Sequence, residues 1–137
     1  MSEYTGGCLC RNIRYKVTGK PIFPHFCSCH MCQQWSGSPV VAWVDFPRAS
    51  LVFDGSGGDP TLYRTCETTQ RGFCPICGSG ICALDDGSEE VSIAVGTLDD
   101  PNLIVPKSQS FPESAPSWLK VEAVAHAKTG AKQRNSQ

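Results

Sequence analysis

Nine cysteines among 137 residues restrict this fold more than any other feature of the sequence. Three of them fall within six residues, in the stretch FCSCHMC from Phe26 to Cys32. A disulfide joins thiols two at a time and needs Cα atoms roughly 4.4–6.8 Å apart, so this triplet always leaves one thiol over. The odd total points the same way. It favours metal ligands or catalytic groups over a disulfide framework.

Two cysteine pairs lie far apart in the chain, in CLC near the N-terminus and in CPICG near the middle. Zinc binds cysteine sulfur in a tetrahedral arrangement of four ligands, and two pairs supply four. The alternative for CPICG is a redox pair, but the second pair elsewhere favours metal binding. The sequence therefore predicts a closed structural zinc site that ties the N-terminus to the middle of the chain and consists of Cys8, Cys10, Cys74 and Cys77.

The triplet Cys27, Cys29 and Cys32 offers only three ligands. A zinc ion with three protein ligands keeps one coordination position for water or substrate, as catalytic zinc sites do. The alternative is a second closed site without chemistry, completed by one of four other residues: Cys66, Cys82, His25 or His30. If they are not ligands, Cys66 and Cys82 are expected to be core thiols. His30 is then expected at the surface or next to a ligand without binding the metal itself.

Arg71 is the candidate for holding a substrate carboxylate, because it directly precedes GFCPICG and a guanidinium binds carboxylates well. Arg64 and Arg11 are the reserves for this role, and an exposed, solubilising arginine is the alternative. The large aromatic side chains are expected in the core or in a pocket wall: Trp35, Trp43, Phe73 and Trp118.

Short β-type runs predict a mainly β single domain with little helix. The runs alternate apolar residues or are rich in β-branched and aromatic ones, and they cover residues 13–17, 40–46, 50–55 and 91–98. Turn-forming stretches at 55–60 and 85–90 separate them. One helix is predicted over Ser117–Lys128. The domain is expected to span residues 1–128, and the polar residues 129–137 are expected to form a flexible tail.

The charge balance argues against several classes of partner. Twelve basic and thirteen acidic residues give a net charge of -1, so no global field attracts nucleic acid or anionic lipid. A zinc ribbon that binds nucleic acid is therefore disfavoured. The N-terminus lacks the features of a secretory signal, and no run approaches the ~20 apolar residues of a membrane helix. We therefore expect a soluble, cytoplasmic protein with small-molecule substrates.

Four motifs together resemble the glutathione-dependent formaldehyde-activating enzyme family, also called the S-(hydroxymethyl)glutathione synthase family. They are GGCLCRNIRYKV, CSCHMCQQWSGSPVVAWVDF, QRGFCPICGSGI and VSIAVGTLDDP, in the family's order and approximate spacing. The resemblance implies an Mss4-like (β-tent) fold with two zinc ions per chain. It implies that the structural zinc lies on the four paired cysteines and the catalytic zinc on the triplet.

The resemblance also implies an activity, that of a carbon–sulfur lyase or synthase joining formaldehyde or a small aldehyde to glutathione or a related thiol. The alternative is a non-catalytic zinc-binding interaction module, since Mss4-like folds also serve as partner-binding domains. The sequence departs from the family near its C-terminal end. Gln109 and Ser110 stand where the family often has a histidine-containing stretch.

Overall fold

The computed structural model describes residues 2–121 and the backbone of residues 125–126. A three-stranded antiparallel sheet contains the N-terminus and has the strand order β1-β2-β5. Its strands are β1 (Glu3–Gly7), β2 (Arg14–Thr18) and β5 (Val52–Phe53). The remaining described strands form a second, larger sheet.

The larger sheet has eight strands in the order β11-β10-β3-β4-β9-β8-β7-β6. Its pairs are antiparallel, except that β10 runs parallel to both β3 and β11. The strands are β3 (Ile22–Cys27), β4 (Val41–Pro47), β6 (Thr61–Arg64), β7 (Thr69–Phe73), β8 (Gly80–Asp85), β9 (Glu90–Ala94), β10 (Ser108–Ser110) and β11 (Ala125–His126). A seven-residue helix, α1 (His30–Ser36), follows β3. Short 3-10 turns cover Arg48–Ser50, Val95–Thr97, Pro101–Leu103 and Pro112–Ser114.

The central strands of the larger sheet bury side chains on both faces. Successive side chains of a strand point to opposite faces, and Val44 and Ile93, which lie opposite each other on β4 and β9, face the main core. The neighbouring pair, Trp43 and Ala94, belongs to a second buried cluster. One set of strands therefore supports two separate buried regions.

The main core includes side chains from both sheets. The small sheet contributes Tyr15 and Val17, both almost completely buried, and the large sheet contributes residues such as Phe46 and Ile93. Burying a side chain of this size stabilises the fold by about 1.5–3 kcal/mol. Cys8 and Cys74 belong to the same core, so one cysteine from each predicted pair lies in the layer that joins the sheets.

Gly6 lies where the small sheet meets the turn after β9. It forms an isolated antiparallel bridge with Leu98, and Asp99 N donates to Thr5 O at 2.9 Å beside it. A Cβ atom on Gly6 would lie 2.4 Å from both Thr97 O and Tyr15 Oη. Only glycine allows this close approach of backbone and side chain.

The prediction of a mainly β fold is confirmed, although the strands differ in detail from those predicted. The run 13–17 forms β2 and 40–46 forms β4, each shifted by one residue, whereas 50–55 contains only the two-residue β5. The run 91–98 ends as a strand at Ala94 and continues as a 3-10 turn. Chain reversals occur at both predicted turns. Within the described parts of the chain, no helix has the length and apolarity needed to cross a bilayer.

The predicted helix over Ser117–Lys128 is wrong wherever the structure describes it. Residues 117–121 are turn and irregular backbone, and Ala125–His126 forms β11. Pairing with β10 completes the edge of the sheet, and this tertiary contact overrides a weak helical preference that the valines already reduce. The predicted tail 129–137 lies outside the described residues, as does residue 128.

We predict that Gly6→Ala destabilises the fold by about 1–3 kcal/mol, because its methyl group has no space between Thr97 and Tyr15. Urea unfolding followed by circular dichroism measures the change. Gly96→Ala is the matched control, since a Cβ there meets nothing within 4 Å and the stability should change little. Equal midpoints for Gly6→Ala and the parent would contradict the tight junction between the sheets.

Candidate metal centres

The four paired cysteines converge at one end of the main core. The sulfur atoms of Cys8, Cys10, Cys74 and Cys77 all lie within 4.8 Å of one another. Cys10 Sγ is 3.6 Å from Cys8 Sγ and 3.7 Å from Cys74 Sγ. Four thiol sulfurs at these separations match the donor set of a tetrahedral structural metal site. The structure therefore brings together the pairs that the sequence predicted to meet.

Local backbone geometry aims N–H groups at these sulfurs. The N–H groups of Ile76 and Cys77 donate to Cys74 Sγ at 3.4 and 3.5 Å. Gly78 turns the chain with a φ of 81°, a conformation that glycine adopts without strain. Hydrogen bonds from the Ser79 hydroxyl, 3.2 Å from Cys77 Sγ, and from the backbone of Ser79 and Cys10 together lower the pKa of Cys77 to about 5. Hydrogen bonds to a sulfur favour its thiolate form, which is the form that binds metal.

The cysteine triplet is built from the end of β3 and the start of α1. Cys27 is the last residue of β3, Cys29 is the N-cap of the helix, and Cys32 lies in its first turn. Their sulfurs also lie within 4.8 Å of one another, and all three residues are buried. The N–H groups of Cys29 and Cys32 donate to the sulfurs of Cys27 and Cys29, at 3.5 and 3.3 Å. The helix start thus folds the three ligands into one cluster.

Polar side chains fix the loop between Cys27 and Cys29. Gln33 Nε2 donates to Ser28 O at 2.8 Å and to Ser114 O at 2.9 Å. These bonds join helix α1 to the loop and to the distant 3-10 turn Pro112–Ser114. Gln109 Nε2 donates to Ser28 Oγ at 3.1 Å, and Ser28 N donates to Ser110 O at 3.0 Å. Gln109 and Ser110 therefore hold the loop that joins Cys27 to Cys29.

Arg71 is fully buried behind the triplet. Its Nη2 donates to Cys32 Sγ at 3.5 Å, and its Cζ lies 5.1 Å from the Trp35 ring centroid and 5.5 Å from that of Trp43. The two indoles stack on each other with centroids 5.7 Å apart. A hydrogen bond from Cys27, then one from Cys29, and the charge of Arg71 lower the pKa of Cys32.

The role of Arg71 in holding a substrate carboxylate stays a prediction, and its complete burial rules out the alternative of an exposed, solubilising arginine. The contact with Cys32 gives the guanidinium a partner inside the cluster that sequence reasoning missed. The sequence signal for this contact is weak. An arginine that precedes a cysteine pair in the sequence does not reveal which distant segment its side chain contacts in the fold. Arg64 is exposed and pairs with Asp86 at 3.0 Å.

Among residues 2–121, no histidine, cysteine or acidic side chain completes the triplet as a fourth ligand. Cys82 is fully buried in the main core, as expected, and burial raises its pKa to about 12. Cys66 is only half-buried and contacts Thr68, so its expected place in the core is wrong. His25 is buried but outside the cluster, and His30 is exposed.

A cavity of about 710 Å³ lies between the two cysteine clusters. Trp35 and Phe73 contribute to its walls, as the sequence predicted for large aromatic residues, whereas Trp118 is 74% exposed and lines neither core nor cavity. The other lining residues are small or aliphatic: Ser36, Ser38, Val40, Val41, Ala42, Gly78, Ser79, Gly80, Ala94 and Gly96.

The chemistry of both clusters fits a metal ion. Cysteine sulfurs that accept backbone N–H groups suit a soft or borderline cation, and the cysteine-only donor set is consistent with zinc. Either cluster could hold one ion, with four sulfur ligands in the first and three in the second. The two sites therefore differ in the number of ligands that the described residues supply.

We predict that Cys77→Ser unfolds the domain or makes it insoluble. It removes one ligand from a cluster that joins two segments about 65 residues apart, and structural zinc binding contributes on the order of 10 kcal/mol to folding. Cys29→Ser should leave the fold largely intact, because its three ligands lie within one short segment. Far-UV circular dichroism, melting temperature and metal content per chain measure both variants. Unfolding of Cys29→Ser as severe as that of Cys77→Ser would contradict this division.

We predict that Arg71→Met weakens metal binding at the triplet by roughly 10- to 100-fold, as loss of a ligand's outer partner does. Arg71→Lys should recover part of the loss. Competition with a chelator measures the affinity, and the four-cysteine cluster serves as an internal reference. Arg64→Met, at the exposed pair with Asp86, is the control. If Arg71→Met keeps its metal but loses glutathione binding, the hydrogen bond to Cys32 is unimportant and the predicted carboxylate contact is favoured.

This chain is similar to a curated protein in sequence and to a solved protein in structure. An uncharacterized lyase from Schizosaccharomyces pombe is 30% identical over 79 residues, which is 58% of this chain. The chain spans only 56% of the length of that relative. The crystal structure of a Rhodobacter sphaeroides protein is similar with a TM-score of 0.55 and 23% identity, covering 69% of this chain and 87% of the other. That likeness supports the fold alone.

The family comparison covers most of the chain. The sequence model of the glutathione-dependent formaldehyde-activating enzyme family matches residues 3–114, a range that contains both cysteine clusters, helix α1 and the cavity between them. The resemblance that the four motifs indicated is therefore confirmed. This chain belongs to the glutathione-dependent formaldehyde-activating enzyme family.

Proposed function

We propose that this protein is a zinc-dependent carbon–sulfur lyase or synthase that joins a small aldehyde to glutathione or a related thiol. One observation carries the proposal: three buried cysteine sulfurs converge within 4.8 Å, without a fourth ligand from residues 2–121. Family membership and the distant lyase relative support the reaction class. We further propose that the domain spans residues 1–128 and works in the cytoplasm.

The proposed metal content is two zinc ions per chain. Cys8, Cys10, Cys74 and Cys77 would hold the structural ion, and Cys27, Cys29 and Cys32 would hold the catalytic one. At the triplet, bound zinc would supply a position at which a thiol loses its proton near neutral pH and a small carbonyl is polarised. Because three thiolates would give a zinc centre there a formal charge of -1, such a centre would favour ligand exchange over strong activation of water.

The residues around the triplet orient and shield the reacting groups. Gln33 and Gln109 hold the Ser28 loop in place, while Trp35 and Trp43 cover the ligands and exclude water. In the reaction, the thiol sulfur forms a bond to the aldehyde carbon as the carbonyl π bond breaks. The carbonyl oxygen then takes up a proton, which solvent supplies, to give the hemithioacetal. The lyase direction reverses these steps.

A non-catalytic interaction module is the second candidate. Leu9 and Ile76, at the tips of the two pairs that form the four-cysteine cluster, are 85% and 71% exposed. Exposed apolar side chains beside a structural metal suit contact with a partner protein. Under this alternative the triplet would be structural, and small thiols would not bind it.

We predict that the zinc-loaded protein binds small thiols saturably at the triplet. Calorimetric titration with glutathione and with 2-mercaptoethanol, with zinc release followed in parallel, measures this. Formaldehyde exchange into the hemithioacetal, followed by NMR, should then be faster than in buffer. Cys29→Ser should lose both binding and exchange while it keeps the zinc of the four-cysteine cluster. Absence of thiol binding in a protein that carries two zinc ions would favour the interaction module.

A further inference from the structure

The cavity between the two cysteine clusters shares its wall with the triplet. Ala94 belongs to the buried cluster formed around the three cysteines, and Trp35 and Val41 pack against it. The same three residues line the cavity. The triplet and the cavity are therefore adjacent and share these three side chains.

Another part of the cavity wall is formed by the residues that end the four-cysteine knuckle. Gly78, Ser79 and Gly80 line it there. Gly80 lets the wall close tightly, because a Cβ at this position would lie 2.2 Å from Cη2 of Trp35. The Trp35 indole therefore packs directly against the backbone of β8. The same indole contacts the buried cluster around the triplet and the end of the four-cysteine knuckle.

None of the described residues that line this cavity carries a charge. Aromatic, aliphatic, serine and glycine residues form its surface, and the guanidinium of Arg71 lies beyond Trp35 and is fully buried. A carboxylate loses its hydration on entering such a surface and gains no cation in return. Glutathione carries two carboxylates and one ammonium group, so its charged ends match this surface poorly.

We propose that the cavity receives an uncharged, apolar substituent of the thiol substrate, about the size of a phenyl ring or a branched alkyl chain. The inference rests on the proposed function, since the thiol sulfur binds at the triplet while its substituent lies against Trp35, Val41 and Ala94. Apolar walls with a few hydroxyl and backbone groups are typical of sites for such ligands. Thiols of this class are favoured over glutathione.

Gly96 provides a position at which the cavity can be altered without a clash. It is exposed, it lines the cavity, and a Cβ built on it meets nothing within 4 Å. Gly96→Lys introduces a cation at the cavity and Gly96→Leu adds similar bulk without charge. The pair therefore separates the effect of charge from that of size.

The test compares phenylmethanethiol and glutathione binding to the zinc-loaded parent protein and to both variants, by calorimetry and by tryptophan fluorescence. Phenylmethanol, which has no thiol, probes the cavity alone. The parent should bind phenylmethanethiol at least about 10-fold more tightly than glutathione, the gain expected from burying a phenyl ring. Gly96→Lys should weaken binding of phenylmethanol and strengthen that of glutathione, whereas Gly96→Leu should not strengthen glutathione binding.

The outcomes separate the inference from the proposed function. Glutathione binding as tight as that of phenylmethanethiol, or unchanged affinities in Gly96→Lys, would overturn the apolar assignment. If phenylmethanol binds and responds to Gly96→Lys while neither thiol binds, the cavity is an apolar ligand site as inferred, and the thiol chemistry fails instead.

Discussion

The meeting of Cys8 and Cys10 with Cys74 and Cys77 fixes the relation between distant parts of the chain. One ligand from each pair is buried in the core between the two sheets, so the cluster and the hydrophobic layer constrain the same region. A metal ion bound there would close a loop of more than 60 residues, whose ends are also joined by a hydrogen bond from Leu9 N to Ser79 Oγ at 3.0 Å. Closing a loop of this length has a substantial entropic cost, which metal binding offsets.

The candidate active centre depends on that frame but lies on the other face of the large sheet. Trp43, Ala83 and Ala94 come from three strands whose alternate residues face the main core. The triplet therefore packs against side chains that these strands hold in place. Arg71, on the neighbouring β7, donates a hydrogen bond to Cys32 of the triplet. Sites built on strands hold their geometry better than sites built on loops alone. The two cysteine clusters therefore contact buried regions on different faces of the same sheet.

Cysteine spacing predicted both clusters. Cysteines two or three residues apart can bind the same metal ion, and a pair that supplies only two ligands needs a second pair to complete a tetrahedral site. Spacing could not place Arg71, whose contact with Cys32 joins residues 39 positions apart. Helix α1 was also missed, since seven residues show no periodicity and its N-cap is Cys29, a residue read as a ligand. The helix that was wrongly predicted after Pro116 shows the opposite error, in which a local signal was present but the structure did not follow it. A plausible local preference yielded to the unpaired edge of β10.

X-ray absorption at the zinc edge, on the protein loaded with two zinc ions, tests the central claim most directly. Four ligands at one cluster and three at the other give an average of 3.5 protein sulfurs per ion. Addition of a saturating small thiol should raise the average number of sulfur ligands per zinc ion, from protein and thiol together, to 4. The thiol sulfur would occupy the remaining position at the triplet. An average of 4 before any thiol is added, or one that stays at 3.5 after it, would contradict the account of Cys27, Cys29 and Cys32 as an incomplete, thiol-binding site.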